Sequence, residues 1–233
     1  LFPYTTLFRS VDRIYSYVVT HDSGFAPNPF FGICTLACCK PKIRQSVGRL
    51  LKASPNEKVW IVGLSPRQGN RGNDIIYMMQ VCSTMSFTDY WKSHPEKRPI
   101  YAHGKQRQRR GDNIYEPDPS SPSSFRQLRS AHSLNPKDDI HWSQNPESLE
   151  HDLGGEYVLL SDKFVYFGSN PVALPIELRD LVVGRAHKCN FPSEVLASFS
   201  HFLENYRSKI EAGSVLSMPH IWSDEGNSKC ASS

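Results

Sequence analysis

The sequence lacks any apolar run long enough to cross a bilayer, and it also lacks the common nucleotide-, zinc- and serine-site motifs. A spanning helix needs about 20 consecutive apolar residues, whereas this chain of 233 residues has a mean hydropathy of −0.46. No Walker loop, G-x-G-x-x-G turn, H-E-x-x-H pair or G-x-S-x-G elbow occurs. The sequence therefore gives no support for membrane insertion, NTP hydrolysis, dinucleotide redox chemistry, zinc proteolysis or an α/β-hydrolase mechanism.

The six cysteines do not follow a metal-site spacing. A zinc ribbon has two C-x2-C pairs, whereas here the one cluster is the C-x3-C-C of residues 34–39. Free cysteine is among the most buried residue types, and disulfides are rare in the cytosol. Since we also find no secretory apolar segment with a small-residue cleavage site, we expect reduced thiols, no bound metal and a cytoplasmic location. The sequence does not identify a cofactor.

The charge is mildly basic and unevenly placed. The formal net charge is +4 and the sequence pI is near 8.7. A net charge of this size is compatible with a polyanionic partner but does not require one. The densest basic run is KQRQRR at residues 105–110.

The pattern of residues predicts an α+β fold. Segments rich in β-branched and aromatic residues predict strands at 13–20, 58–64, 75–84, 156–161 and 163–168. The strongest helical periodicity covers residues 194–212. Residues 103–155 show no periodicity, which is typical of functional loops or disorder. Because the strands precede the long helix and βαβ alternation is absent, we expect a mostly antiparallel sheet and a long C-terminal helix. Both an open sheet and a sheet closed into a barrel fit this pattern.

The domain organisation is expected to be simple. Residues 1–10, LFPYTTLFRS, read as the translation of a common sequencing adapter, and we treat them as an artefact that is excluded from fold reasoning. Residues 11–213 are expected to form a single domain. Residues 214–233 are expected to be a disordered tail.

Several blocks occur in an order that resembles one known family. They are THDSGFAPNPFFGICTLACCKPKIR, VWIVGLS, IIYMMQV, SFTDYW, RRGDNIY, SAHS, VLLSDKFVYFG and VGRAHKCNF. In this order they resemble the second of the nucleotide modification associated domain families of bacteria and phages. That family is linked by genome context to systems that modify bases in nucleic acid, so the resemblance implies a setting more than a reaction. The strand pair VWIVG and IIYMMQV is also similar, at the level of fold, to the barrel of PUA-like domains of the EVE and YTH types, which bind modified or unpaired bases.

The resemblance and the side-chain chemistry together predict two groups of site residues. The first group comprises titratable side chains suited to acid–base work near neutral pH, namely His21, Asp22, Asp112, His132 and His187. The second comprises side chains suited to a base, a sugar or a phosphate, namely Asn28, Arg110, Asn113, Tyr115 and Arg185. A solvated turn or an ordinary structural contact remains the alternative for each residue.

Two sets of cations are predicted to contact phosphate. Lys40, Lys42 and Arg44 alternate with other residues, so in extended backbone they would share one face. Lys105, Arg107 and Arg109 belong to the basic run. Such cations bind phosphate oxygens and position a nucleic acid without reading its sequence. The alternative for both sets is a solvated face.

Three functions remain open at this point. The first is a binding module that recognises a nucleotide or nucleic acid in a base-modification or anti-phage system. The second is an enzyme that acts on a base, for which two or more of the titratable groups should meet in a closed pocket. The third is a structural adaptor, which should show a large exposed apolar patch.

Overall fold

The secondary structure is known from a computed structural model that describes residues 11–67, 72–131, 144–184 and 186–222, without the side chains of residues 122 and 123. The strands within these ranges are β1 (Arg13–Val18), β2 (Cys34–Leu36), β3 (Val59–Leu64), β4 (Ile75–Gln80), β5 (Ser83–Met85), β6 (Tyr115–Asp118), β7 (Ser121–Gln127), β8 (Val158–Ser161), β9 (Lys163–Tyr166), β10 (His187–Lys188) and β11 (Ser214–Val215). The α-helices are α1 (Pro41–Ala53), α2 (Phe87–Ser93), α3 (Gln106–Arg109), α4 (Pro146–Leu153), α5 (Ser193–Glu204) and α6 (Arg207–Glu211). Short 3-10 turns occupy Pro95–Lys97 and Ile176–Leu181.

The central sheet has six strands in the order β10-β1-β3-β4-β9-β11. β1 and β3 are parallel, with Arg13 opposite Val59, and β9 and β11 are also parallel. The other pairs in this sheet are antiparallel. The expectation of a mixed fold with a mostly antiparallel sheet is therefore confirmed. The expectation of a barrel is not, because β10 and β11 remain unjoined edges of an open sheet in the described part of the chain.

Side chains alternate between the two faces of the sheet, as strand geometry requires. On one face, Tyr15, Tyr17 and Ile61 pack in a cluster with Ile43 and Val47 of α1. On the other face, Ile14, Trp60, Val62 and Met78 pack with Phe199 and Leu203 of α5. The sheet is thus covered on both faces, which explains why the sequence of β3, VWIVGL, is continuously apolar.

Two smaller sheets lie beside the central one and hold the GFAPNPFFGICTLACC segment. β2, β8 and β5 form an antiparallel sheet in the order β2-β8-β5, and β6 pairs with β7. β2 lies within the cysteine-containing segment, and Cys34 and Cys38 are buried. Among the described residues no group of three or more His, Cys, Asp or Glu side chains is placed to hold a metal ion. None of the described helices is both long enough and apolar enough to span a membrane.

The single long C-terminal helix predicted from periodicity is wrong. α5 ends at Glu204, and Tyr206 has the non-helical angles φ −120° and ψ 9° before α6 begins. The Tyr206 ring packs edge-on against Phe167, with ring centroids 5.2 Å apart. This contact holds Tyr206 against the sheet, so tertiary packing overrides the local helical pattern.

The segments expected to be irregular contain more structure than their composition indicates. The 103–155 segment includes α3, β6, β7 and α4, although residues 132–143 lie outside the described part of the chain. β11 adds to the central sheet, and the Trp222 indole donates to the Ser23 carbonyl at 3.0 Å. Residues 214–222 therefore belong to the fold, whereas residues 1–10 and 223–233 lie outside the described ranges.

Candidate functional site

Two of the blocks that carry the family resemblance meet in a buried polar network. The Asn28 side-chain amide donates to the Arg110 carbonyl at 3.1 Å. The Thr35 hydroxyl donates to the Asp112 carboxylate at 2.6 Å. All three side chains at 28, 35 and 112 are almost completely excluded from solvent. The residues of GFAPNPFFGICT and RRGDNIY are therefore bonded to each other.

Lys97 lies at the centre of this network and is fully buried. Its Nζ atom donates to the Asn28 carbonyl and to the Asn28 side-chain oxygen, each at 2.9 Å, and to the Ile33 carbonyl at 2.7 Å. It also lies 3.2 Å from the Thr35 hydroxyl. Burial lowers the pKa of Lys97 to about 8, and the Asp112 carboxylate opposes this change. Because these neighbours act as acceptors, the geometry fits the charged ammonium form.

Asp112 supplies the compensating negative charge. One carboxylate oxygen accepts from Thr35 and the other accepts from the Tyr90 hydroxyl at 2.7 Å. Burial raises the pKa of Asp112, and Lys97 and these hydrogen bonds oppose the change. Because the Thr35 hydroxyl donates its hydrogen bond to Asp112, the hydroxyl oxygen can accept a hydrogen bond from Lys97. The Thr35 hydroxyl group therefore bridges the ammonium and the carboxylate.

Four side chains predicted to face a ligand support the fold. Asn28 and Asp112 belong to the buried network. Asn113 donates to the Tyr90 carbonyl at 3.1 Å and to the His94 carbonyl at 3.0 Å. Tyr115 is buried and donates to Asp152 at 2.7 Å. Buried polar groups must be hydrogen-bonded, and the bonds of these four residues are internal. Direct ligand contact by these residues stays a prediction.

The predicted phosphate-binding face at 40–44 does not form, because helix α1 begins at Pro41 instead of an extended strand. Arg44 is fully buried, and its guanidinium donates to the carbonyls of Cys39 and Tyr157 at 2.8 Å each and to that of Asp152. Lys40 is half-buried, with Nζ 4.8 Å from the centre of the Tyr17 ring, and Lys42 is exposed. Of these three cations, Arg44 is excluded from surface contact with phosphate.

The 98–110 segment, together with Phe31, Trp91 and Arg129, forms a basic surface interleaved with aromatic rings. Its members, which we call the arginine–aromatic surface, are Phe31, Trp91, Arg98, Tyr101, Arg107, Arg109 and Arg129. The centre of the Tyr101 ring lies near two guanidinium groups, 5.1 Å from that of Arg109 and 4.0 Å from that of Arg129. Lys105 and Arg107 are exposed. No acidic residue occurs between positions 97 and 111, so the positive charge of this segment is not neutralised within it.

Arg110 lies next to this surface but is itself buried. Its guanidinium is 5.6 Å from the Trp222 ring and bonds to the Gln106 side chain. Trp222 stacks on Phe30, with centroids 5.1 Å apart and an angle of 18° between the planes. These contacts tie the end of the described chain to the base of the arginine–aromatic surface.

A separate cleft lies where β1 and β3 end. We call it the Asp22 cleft, after the polar residues Thr20, Asp22, Ser65, Asp74, Ser169 and His220 that line it. Its volume is about 320 Å³. Parallel strands present ligand sites at their carboxyl ends, and β1 and β3 are parallel.

Asp22 is held rigidly in this cleft. One of its carboxylate oxygens accepts from the Tyr166 hydroxyl, and the other accepts from the His220 main-chain N–H at 3.2 Å. Burial raises the pKa of Asp22, although these hydrogen bonds oppose the change. The residue is buried, with 6% of its surface exposed, and it is part of the lining of the cleft.

The predicted acid–base residues do not converge on one pocket. His21 is exposed, Asp22 lines the cleft and Asp112 is in the buried network. His187 is on edge strand β10, beside Tyr15, with ring centroids 6.0 Å apart. No hydrogen bond joins any two of these four among the described residues. His132 and Arg185 lie outside the described ranges.

His187 lies near enough to two of the predicted cations, Lys40 and Lys42, to be affected by their charge. Burial lowers its pKa, and the positive charges of Lys42 and Lys40 lower it further. The resemblance-based residue His187 therefore shares a surface with Lys40 and Lys42, although they are far apart in the sequence. This grouping favours a neutral imidazole and a positively charged edge of the sheet.

Sequence reasoning missed the residues that organise these sites. Thr35 and Tyr90 lie in two of the family blocks, THDSGFAPNPFFGICTLACCKPKIR and SFTDYW, but were not named as site residues, and Lys97 lies outside the blocks. A lysine in a polar stretch ordinarily predicts exposure. Tyr166 lies in the strand predicted at 163–168, but its bond to Asp22 was not predicted. Tyr101 had a usable signal, because it is an aromatic residue four positions before the basic run.

These features define a mixed α/β domain with an internal lysine–aspartate network, a basic surface lined with aromatic rings and a small polar cleft. The sequence profile of the family described as nucleotide modification associated domain 2 matches residues 11–223, so the chain belongs to this family. The resemblance found in the sequence blocks is thereby confirmed. No curated protein matches the chain, and no solved structure matches it.

Proposed function

We propose that the protein recognises unpaired nucleic acid, or nucleotides derived from it, within a bacterial or phage system that modifies bases or opposes phage infection. Family membership supports the setting, since the family is associated with nucleotide modification. The observation that carries the proposal is the arginine–aromatic surface, in which Tyr101 contacts Arg109 and Arg129. The expected location is the cytoplasm.

The chemistry of this surface fits a single strand better than a duplex. Arginine side chains neutralise phosphates, and exposed rings stack on bases that are not already stacked in a helix. A single strand offers both groups at once, whereas a duplex offers mainly phosphates. Arg107 over Phe31 and Arg98 over Trp91 repeat the same pairing of cation and ring.

The test is a fluorescence-anisotropy titration with single-stranded DNA, RNA and duplex DNA at several salt concentrations. We expect single strands to bind more tightly than the duplex. Because each phosphate contact releases counterions, the slope of log K against log salt should fall by about 0.7 for each arginine lost. The variants are Arg107→Gln and Arg109→Gln.

The matched control is Arg49→Gln, which removes the same charge from an exposed position on α1 where Arg49 pairs with Glu156. It should leave the salt slope unchanged. If the wild type binds no nucleic acid at low salt, or if all three variants behave alike, the proposal is wrong. Equal loss in all three would indicate an effect of net charge alone.

The other two functions receive less support. An enzyme would need a convergent set of titratable groups, and the described members of the predicted set lie in different places. An adaptor would need a contiguous apolar patch. The large exposed apolar side chains of the described residues fall in three separate segments: Ile100; Ile176 and Val182; Leu216 and Met218.

A further inference from the structure

The Asp22 cleft has the features of a binding site for part of a nucleic acid other than its phosphates. It lies at the carboxyl ends of β1 and β3 and continues to the first residues of β4 and the residues after β9. We infer that the cleft receives an unpaired nucleobase that carries an exocyclic amino group, such as cytosine or adenine, an inference that rests on the proposed function. The arginine–aromatic surface holds the strand, and the cleft selects the base.

The size of the cleft limits what it can hold. Its volume of about 320 Å³ lies near the lower end of small-molecule sites, which span roughly 300–1,000 Å³. A base or nucleoside is of the right scale, whereas a folded segment of nucleic acid is too large. Val19 and Ile76, both buried, supply apolar wall on which a flat ring can lie.

The polar groups of the cleft are mostly acceptors. Asp22 and Asp74 contribute carboxylates, and no lysine or arginine is among the described residues that line it. Such a lining repels phosphate and favours groups that donate hydrogen bonds. The amino group of cytosine or adenine is a donor of this kind, and carboxylates accept from the amino group of cytosine in known base recognition.

Asp22 retains the capacity to accept from a ligand. Tyr166 donates to one carboxylate oxygen and the His220 main chain donates to the other. The Gly24 main chain also hydrogen-bonds to this carboxylate. An ionised carboxylate has about four acceptor sites, so these three donors leave about one for a ligand. The internal bonds also fix the orientation of the carboxylate before a base arrives, which reduces the entropy lost on binding.

One short segment connects the cleft to the arginine–aromatic surface. His220 lines the cleft and its main chain holds Asp22. Two residues later, the Trp222 ring stacks on Phe30 and faces the guanidinium of Arg110. Phe30 is followed by Phe31, which lies under Arg107. The segment 220–222 therefore contacts the lining of the cleft at one end and the ring stack next to the arginine–aromatic surface at the other.

The test uses two pairs of nucleosides in which an oxo group replaces the amino group and the adjacent ring nitrogen changes from an acceptor to an N–H donor: cytidine against uridine, and adenosine against inosine. Binding is measured by isothermal titration calorimetry with the full chain. We expect the amino member of each pair to bind about 10-fold more tightly, as for a site that accepts from one base edge. Asp74→Asn and Thr20→Trp should abolish this preference. The first removes an acceptor charge, and the second places a large ring at the exposed rim of the cleft.

The control is Asp180→Asn, which removes the same charge from an exposed aspartate outside the cleft. It should keep the preference, and unfolding curves should show that every variant is folded. Equal binding of amino and oxo nucleosides overturns the inference. Absence of nucleoside binding together with salt-dependent binding of single strands overturns the cleft inference alone, whereas absence of both overturns the proposed function as well.

Discussion

The ammonium group of Lys97 and the carboxylate of Asp112 are joined through a single hydroxyl group, that of Thr35. Lys97 and Asp112 are both buried, and each has further hydrogen bonds that complete its shell. A buried charge is tolerated only when it is paired and fully hydrogen-bonded. The network therefore fixes the position of the loop that contains Asn28 against the segment that contains Arg110.

Removal of the Lys97 charge should destabilise the folded protein. Replacement Lys97→Met leaves Asp112 buried without a counter-charge, and the loss of one partner of a buried pair costs about 3–5 kcal/mol. We expect the free energy of unfolding in urea to fall by this amount. Lys163→Met, at an exposed position, serves as the control and should change it little.

The double variant Lys97→Met with Asp112→Asn measures the interaction energy between the two residues, apart from the contribution of each residue alone. Because the second change removes the uncompensated charge, the double variant should lose less stability than the sum of the two single variants. Strict additivity would contradict the coupling through Thr35.

Gly48 in helix α1 should not tolerate alanine. A Cβ atom at this position would lie 2.2 Å from Cδ2 of Tyr157. Alanine gains about 1 kcal/mol in helix propensity over glycine, but overpacking of a well-packed site costs about 1–3 kcal/mol. We expect Gly48→Ala to lower the thermal midpoint, and Ser46→Ala, at an exposed position of the same helix, to leave it equal or higher. A stabilised Gly48→Ala variant would show that Tyr157 moves freely.

Asp22 should give the protein a measurable pH dependence. Burial raises its pKa in the folded state above the ordinary value of 3.8, so the folded state binds more protons than the unfolded state between these two values. The contribution of this group to stability is thus present below pH 4 and is lost as pH rises through the folded pKa, with a slope of at most about 1.4 kcal/mol per pH unit. Asp22→Asn removes this dependence.

Urea unfolding of the wild type and Asp22→Asn between pH 4 and pH 7 measures the effect. The wild type should lose stability relative to the variant as pH rises. Parallel curves would mean that Asp22 titrates normally in the folded protein.

Tyr101 should matter through its ring and not through its hydroxyl. Base–aromatic stacking is worth about 1–3 kcal/mol per base, so Tyr101→Ala should weaken the binding of single-stranded DNA by about 5- to 150-fold on that scale. Tyr101→Phe keeps the ring beside Arg109 and Arg129 and should bind like the wild type. If both variants lose affinity equally, the hydroxyl and not stacking is responsible.

Much of the sheet could be predicted from the sequence, since β1, β3, β4 and β9 have the β-branched and apolar composition of buried strands. The α5–α6 break could not, because it depends on the contact of Tyr206 with Phe167, which lies on another element. The shared face of Lys40, Lys42 and Arg44 was predicted for extended backbone only. Lys40 instead adopts the left-handed conformation and Pro41 begins α1, so the three side chains do not lie along one extended segment.

The candidate site, like the fold, could be predicted only in part from the sequence. The basic run at 105–110 predicted a charged surface, and the structure adds the rings that lie against it. The polar residues Asn28, Asp112 and Asn113 predicted a ligand site, but their partners are Lys97 and main-chain groups that are distant in sequence. Sequence pattern does not distinguish a polar residue that faces a ligand from one that faces a buried lysine, because both need hydrogen-bond partners.

Photo-crosslinking tests the central claim most directly. Single-stranded DNA that carries a photoreactive base is bound at low salt, irradiated and mapped by mass spectrometry of the protein. The proposed function predicts crosslinks to Phe31, Trp91 or Tyr101 on the arginine–aromatic surface, and their loss in Arg107→Gln with Arg109→Gln. Crosslinks confined to α1 or α5, with this surface unlabelled while binding persists, would contradict it.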